Sequence, residues 1–183
     1  MTTLLPFLVR VISLRDPHAT SHSDHVTELA FDLGQTADLK EGDLDLLKFA
    51  ASIHDIGKIA INEFVISKPG KFTEAEYIMV QQHARIGASL VETLGVDPSI
   101  HSIILHHHEN FDGTGYPNGI IGNEIPLGAR IIRIADTYDA LTSNRGYRPA
   151  YSRKKSLEIM EHDAQFFDST LLDLFFKRVV RKH

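Results

Sequence analysis

A histidine followed directly by an aspartate gives two side chains that can close on one cation from adjacent positions, and this chain has such a pair at His54-Asp55. The pair stands in the run Ile53-His54-Asp55-Ile56-Gly57-Lys58, where a lysine follows the histidine by four residues. On a helix that spacing puts Lys58 on nearly the same face as His54, roughly 40° away. One His-Asp pair alone proves little, because chance pairs are common and an exposed one is usually just solvated. The rest of the set gives it weight. His22, His83, His107, His108 and Asp136 are further candidate ligands, and with His54-Asp55 they fall on what read as separate helices. Facing helices that each contribute such groups are how helical bundles build dinuclear metal sites. The chain has 11 histidines and no cysteine in 183 residues. Any metal must therefore be held by imidazole and carboxylate, which favours iron, manganese, zinc or nickel over ions that prefer softer ligands.

Each candidate also has a plainer reading. His22 could be a polar residue at a helix start, His83 a satisfied core histidine, and His106 to His108 a solvated helix end favoured by the dipole. Asp136 is harder to dismiss. A carboxylate within Ile131-Ile132-Arg133-Ile134-Ala135-Asp136 needs a partner, a cation or a metal if it is buried.

The elements that must position these groups read as helices almost throughout. Thr20 and Ser21 can cap a helix over about 22–33, with Val26, Leu29, Ala30 and Leu33 on one apolar face. Gly34 and residues 38–42 mark a connection, and the amphipathic run 44–51 belongs to the helix that carries His54-Asp55 into an apolar interior. Residues 59–70 read as loop, broken by Lys68-Pro69-Gly70. Thr73-Glu74-Ala75-Glu76 has capping-box spacing and opens a helix to about 94, which Gly95 would end. Asp97-Pro98 starts the helix that reaches His106-His107-His108. Residues 111–119 cannot be helix and are too irregular for a strand, Pro126 begins a helix through about 142, and a last pair occupies 152–161 and 168–181. The expectation is an all-α, single-domain helical bundle with metal ligands on several facing helices.

Composition agrees. Hydrophobic content of 43% with 23% charged residues is too apolar for a disordered chain. A net charge of -5 argues against binding a nucleic-acid polymer. The apolar residues 4–14 are too few to span a bilayer and are broken by Pro6 and Arg10. No basic start or small-residue cleavage site marks a signal peptide. The expectation is a cytoplasmic protein without membrane insertion, in which residues 1–15 form an apolar helical segment docked on the core or on a partner, and residues 16–183 form the domain.

Taken together, His54-Asp55-x-Gly57-Lys58, His107-His108-Glu109, Asp112-Gly113-x-Gly115-Tyr116-Pro117 and Ala135-Asp136-x-Tyr138-Asp139-Ala140 closely resemble the HD-GYP domains. These are a bacterial branch of the HD superfamily of metal-dependent phosphohydrolases, and the resemblance runs over residues 16–176. It implies a helical enzyme that hydrolyses cyclic di-GMP at a dinuclear, sometimes trinuclear, metal centre. It implies His22, His54, Asp55 and Asp136 around one metal and His83, His107 and His108 around the other, with Asp55 bridging. It also places phosphate and guanine binding on Lys58, Tyr116, Asp139, Arg145 and Arg148, and makes Asp55 and Lys58 the catalytic pair.

Elementary chemistry is consistent with this. A phosphodiester is anionic and resists hydroxide at neutral pH. Two metals about 3.5–4 Å apart lower the pKa of a bridging water, so that hydroxide attacks from the bridge, and offset the charge of the phosphorane. Lys58 can neutralise a non-bridging oxygen or assist the departing ribose oxygen. Arg145 and Arg148 can fork onto the second phosphate or a guanine edge.

Two positions depart from the family pattern. His18 stands where trinuclear members have a glutamate, which puts a third metal in doubt and makes pGpG, with slow or no second cut to GMP, the expected product. His25 stands where an arginine commonly follows the first ligand, which should alter a supporting ion pair. The expected metals are two divalent ions, iron or manganese first, with zinc or nickel as alternatives. Regulatory domains usually precede this unit in the family, and residues 1–15 leave no room for one, so a homodimer or a separate regulatory protein is the expected partner. Two other functions stay open: a catalytically weak cyclic di-GMP receptor, and an HD-type hydrolase of another cyclic dinucleotide.

Overall fold

The computed structural model describes residues 7–9, 19–68, 70–144 and 149–182. Helix α1 (Ala19–Thr36) turns the expected face inward, with Val26, Ala30 and Leu33 wholly buried and Leu29 nearly so. It runs on through Gly34, where the sequence suggested a connection. A Cβ at Gly34 would lie 2.9 Å from both Leu44 and Leu47 side chains, so this glycine marks a helix crossing and not a break. The chain turns instead at Asp38, whose φ is 58°, and helix α2 (Glu41–Ile53) packs back against α1.

Helix α2 stops at Ile53. His54 and Asp55 are therefore not helical residues, as the sequence suggested, but the turn after the helix, and a 3-10 turn follows over Ile56–Ala60. In that geometry residues three apart eclipse, so Lys58 comes to lie over Asp55 and the helical alignment with His54 does not form. A second departure lies just beyond, where the expected loop contains a short helix α3 (Glu63–Ile66), capped by the Asn62 side chain on the Phe64 amide at 2.9 Å.

The cause of the tight turn is Gly57. A Cβ there would lie 2.0 Å from the His83 carbonyl oxygen and 2.5 Å from the Gly87 nitrogen. Only a residue without a side chain lets the turn press against the backbone of helix α4 (Glu74–Glu92). That helix opens with the expected capping box: Glu76 N–H donates to Thr73 Oγ1 at 3.3 Å and Thr73 N–H donates to a Glu76 carboxylate oxygen at 2.7 Å. Lys68 Nζ donates to both Glu76 oxygens at 2.8 and 2.7 Å and ties the preceding loop to the same turn.

Helix α5 (Pro98–His106) starts at Pro98, with Asp97 as its cap. Helices α6 (Leu127–Thr142), α7 (Arg153–His162) and α8 (Ser169–Leu174) complete the bundle. The last expected helix is divided, because α8 gives way to a π-type turn at Phe175–Val179. Helix α6 lies against α1, α5, α7 and α8. It joins Ile131, Ile132 and Ile134 to Ile100 and Ile104 of α5 in a dry core. The architecture is all-α, with no strand among the described residues. Of the expected N-terminal segment, residues 7–9 are helical and Leu8 is buried in that core; the remainder lies outside the described residues. No helix among the described residues is long and apolar enough to cross a membrane.

Because the Gly57 contact is backbone on backbone, a methyl group there cannot be absorbed by a side-chain shift. Gly57→Ala is expected to lower stability by about 3 kcal/mol, read from urea denaturation, and to weaken metal uptake as α4 is pushed away from Asp55.

Candidate metal centre

The candidate ligands arrive from five places in the fold. His22 lies on α1, His54 and Asp55 in the turn after α2, and His83 on α4. His107 and His108 lie just past the end of α5, and Asp136 on α6. They form two groups in which one ligand atom per residue lies within 4.8 Å of the others: Asp55, His83, His107 and His108, and His22, His54 and Asp136.

The backbone decides which nitrogen of each ring faces inward. His54 Nδ1 donates to the Ala51 carbonyl at 2.7 Å, His83 Nδ1 to Val80 at 2.6 Å and His107 Nδ1 to Ile104 at 2.6 Å. A carbonyl only accepts, so each of these rings has a proton on Nδ1, and the neutral His83 and His107 rings have their lone pair on Nε2. The Nε2 atoms of His83 and His107 then face each other at 3.2 Å. Two lone pairs that close repel unless a cation lies by them. His54 Nε2 and Asp55 Oδ1 are both fully buried and have no hydrogen-bond partner. Buried polar atoms left without a partner are costly, and here His54 Nε2 belongs to the group with His22 and Asp55 Oδ1 faces His83 in the other.

Asp55 spans the two groups. Its Oδ1 lies 3.4 Å from His83 Nε2, while its Oδ2 lies 3.5 Å from His54 Nε2, 3.7 Å from His22 Nε2 and 2.6 Å from Lys58 Nζ. Burial alone would raise the Asp55 pKa, but charge nearby, that of Lys58 first, holds it well below the usual carboxylate range. Asp136 is likewise held well down against burial, chiefly by the hydrogen bond and charge of His22. Burial, reinforced by neighbouring imidazoles, pushes His107 and His108 well below the ordinary histidine value, and burial lowers His83 as well. The carboxylates are therefore ionised and these imidazoles neutral, the protonation states in which they bind a metal.

His22 behaves differently. Burial opposes its charge, but hydrogen bonds to Asp136 and Asp139 outweigh this and bring its pKa up to about 9. Its Nδ1 donates to Asp139 Oδ2 at 2.6 Å and its Nε2 lies 3.3 Å from Asp136 Oδ1. A cation at Nε2 would displace that proton and leave Asp139 fixing the ring from behind. Asp139 is buried and directed at His22, at the exposed His25 3.3 Å away and at Ser143. The histidine at position 25 thus supplies the supporting contact to Asp139.

Tyr116 stacks on His108, with ring centres 4.8 Å apart and planes 30° apart. Burial, then the neighbouring Tyr77, raises its hydroxyl pKa, so the hydroxyl stays protonated. The loop that presents it is organised by Glu109, which sequence reasoning passed over. Glu109 is almost wholly buried, and its carboxylate accepts from the Asn118 amide at 2.7 Å and the Gly119 amide at 3.0 Å. Gly115 lets the loop fold back on itself, since a Cβ there would lie 2.2 Å from the Asn110 nitrogen. Arg85 of α4 pins the loop through the Pro117 carbonyl and Asn118, both at 2.9 Å, and Arg133 of α6 grips Asn110 Oδ1 through Nε and Nη2. The only hint of these contacts in the sequence is the charged residue directly after the histidine pair. His18, Arg145 and Arg148 lie outside the described residues.

The donor set fits a pair of divalent ions: inward lone pairs, ionised carboxylates and orphaned buried atoms. A family model described as HD domain matches residues 6–171. The chain is 35% identical over 173 residues to a cyclic di-GMP phosphodiesterase response regulator of Xanthomonas campestris pv. campestris, a match that covers 93% of this chain and 46% of that protein. It is 36% identical over 154 residues to 3'3'-cGAMP-specific phosphodiesterase 3 of Vibrio cholerae, covering 84% of this chain and 34% of the relative. A solved structure described as an HDG"Y"P protein from Bdellovibrio bacteriovorus shares the fold, with a TM-score of 0.71 at 20% identity over 86% of this chain and 51% of that one. The chain belongs to the HD-domain family. It spans less than half the length of either curated relative.

If Asp55 serves both groups, its loss differs in kind from that of a single-group ligand. Elemental analysis of protein loaded with manganese should find about two ions per chain, about one in His83→Ala or in His22→Ala, and close to none in Asp55→Ala. Loading should also raise the melting temperature of the wild type, since the ions bind only the folded chain.

Proposed function

We propose that this domain is a metal-dependent phosphodiesterase that opens cyclic di-GMP to linear pGpG. The observation that carries this reading is Asp55, whose two oxygens face the two ligand groups, with its Oδ1 and the His54 Nε2 buried and without a hydrogen-bond partner. The activities of the relatives support a cyclic dinucleotide as the substrate class. His22, His54 and Asp136 would hold one divalent ion and His83, His107 and His108 the other, with Asp55 shared. Once bound, such a pair supplies the Lewis acidity that readies a water and offsets charge on the phosphate. Iron or manganese suits the imidazole and carboxylate donors best, with zinc or nickel as alternatives.

The chain's own residues do the rest. Lys58, whose side chain is about one-third exposed beside Asp55, meets a non-bridging phosphate oxygen or protonates the departing ribose oxygen. Tyr116 offers a protonated hydroxyl as a donor at the rim. Asp139 orients His22, and Arg145 and Arg148 are assigned from the sequence to the second phosphate or a guanine edge. His18 in place of a glutamate favours pGpG as the end product. A separate regulatory protein or a second copy of the chain remains the proposed source of control.

The test is a chromatographic time course with cyclic di-GMP and 3'3'-cGAMP, using anaerobically prepared, metal-loaded protein. Accumulation of pGpG is expected, and Lys58→Ala should lower kcat by about 10²-fold with metal content kept. Protein that binds both nucleotides fully loaded yet cuts neither would replace this reading with that of a receptor.

A further inference from the structure

An aromatic path leads from the candidate metal centre to solvent. His108 stacks on Tyr116, and Tyr116 meets Tyr77 with ring centres 6.2 Å apart and planes at 82°. Tyr116 also stands edge-on to His83, with centres 6.4 Å apart. Tyr77 lies in the first turns of α4 and is 48% exposed, whereas Tyr116 is mostly covered. In an edge-to-face pair, whichever ring gives its edge, at least one face of Tyr77 is turned away from Tyr116. The two rings therefore make a right-angled corner, with a wetted aromatic wall on Tyr77 and the Tyr116 ring as the other side.

The backbone that carries the wall is well anchored. Tyr77 N–H donates to Thr73 O at 2.9 Å, inside the capping box of Thr73 and Glu76, and Lys68 clamps Glu76 in the same turn. Only the two side-chain torsions of Tyr77 are left to order when a flat ligand stacks on its ring.

We propose that Tyr77 is a nucleobase-stacking residue of this site: with a phosphate at the candidate metal centre, one base of the cyclic dinucleotide lies against the open face of Tyr77, in the corner it makes with Tyr116. The identity of the nucleotide rests on the phosphodiesterase reading. Stacking tolerates any base, since every base has a π face, so Tyr77 contributes affinity for guanine and adenine alike and leaves their discrimination to other residues.

The experiment measures Kd by calorimetry and KM by turnover, for cyclic di-GMP and 3'3'-cGAMP, in metal-loaded wild type, Tyr77→Ala and Tyr77→Trp. Metal content and melting temperature are followed in parallel. Tyr77→Ala is expected to raise Kd and KM about tenfold for both nucleotides, with the loss falling on binding rather than on kcat, and Tyr77→Trp to restore both. An unchanged Kd in Tyr77→Ala overturns the proposal. So does a fall in kcat or metal content without a change in Kd, which would make Tyr77 a brace for Tyr116. If wild type binds but does not cut, the phosphodiesterase reading fails while Kd still decides the role of Tyr77. Wild type that binds neither nucleotide sinks both.

Discussion

Imidazole rings brought together in an apolar interior can serve one cation only if something fixes which nitrogen each presents. Here the backbone does so. The carbonyls of Ala51, Val80 and Ile104 each stand three residues before a histidine and take its Nδ1 proton. Two of them belong to the last turns of α2 and α5, where helix carbonyls lack a partner within the helix. Helix ends that would otherwise require caps thus set the tautomers of His54 and His107. The same arrangement explains why the rings are clustered so tightly, with His54 and His107 ring centres 5.2 Å apart and His83 and His107 also 5.2 Å apart. The neutral His83 and His107 rings tolerate a spacing that imidazolium ions would not.

The second constraint is close backbone approach. Without the Gly57 contact, the turn carrying Asp55 could not reach α4, and the two ligand groups would be separate sites with no shared carboxylate. Gly115 plays a comparable part for the loop that lays Tyr116 on His108. Between them, a buried glutamate and two arginines hold that loop by its backbone and by Asn110 and Asn118. The apolar core beneath can then be ordinary, because the precision lies in the turns above it.

Much of this was legible in the sequence, for identifiable reasons. The apolar face of α1, the capping box at Thr73 and the Asp97-Pro98 start are local patterns, and the structure holds each of them. The candidate ligands stood out because histidine and aspartate are chemically conspicuous amid apolar runs. What could not be read depends on long-range packing. The bond between His22 and Asp139 joins residues 117 apart in the chain, and no periodicity announces it. The end of α2 at Ile53 was missed because a helical spacing of His54 and Lys58 looks the same on paper as a 3-10 turn. Gly34 reads as a breaker until the leucines of the facing helix are in view.

One feature of the ligand arrangement separates the two groups. Three of the four residues in the Asp55 group, His83, His107 and His108, are tied to α4, α5 and the loop between α5 and α6, while α1 contributes only His22, and only to the other group. Helix α1 therefore touches the centre at one point, and the loss of that point alone would leave the Asp55 group whole. The core face of the same helix, Val26, Ala30 and Leu33, is wholly buried, so His22 is carried on a fixed element and the asymmetry between the two groups is one of ligand supply.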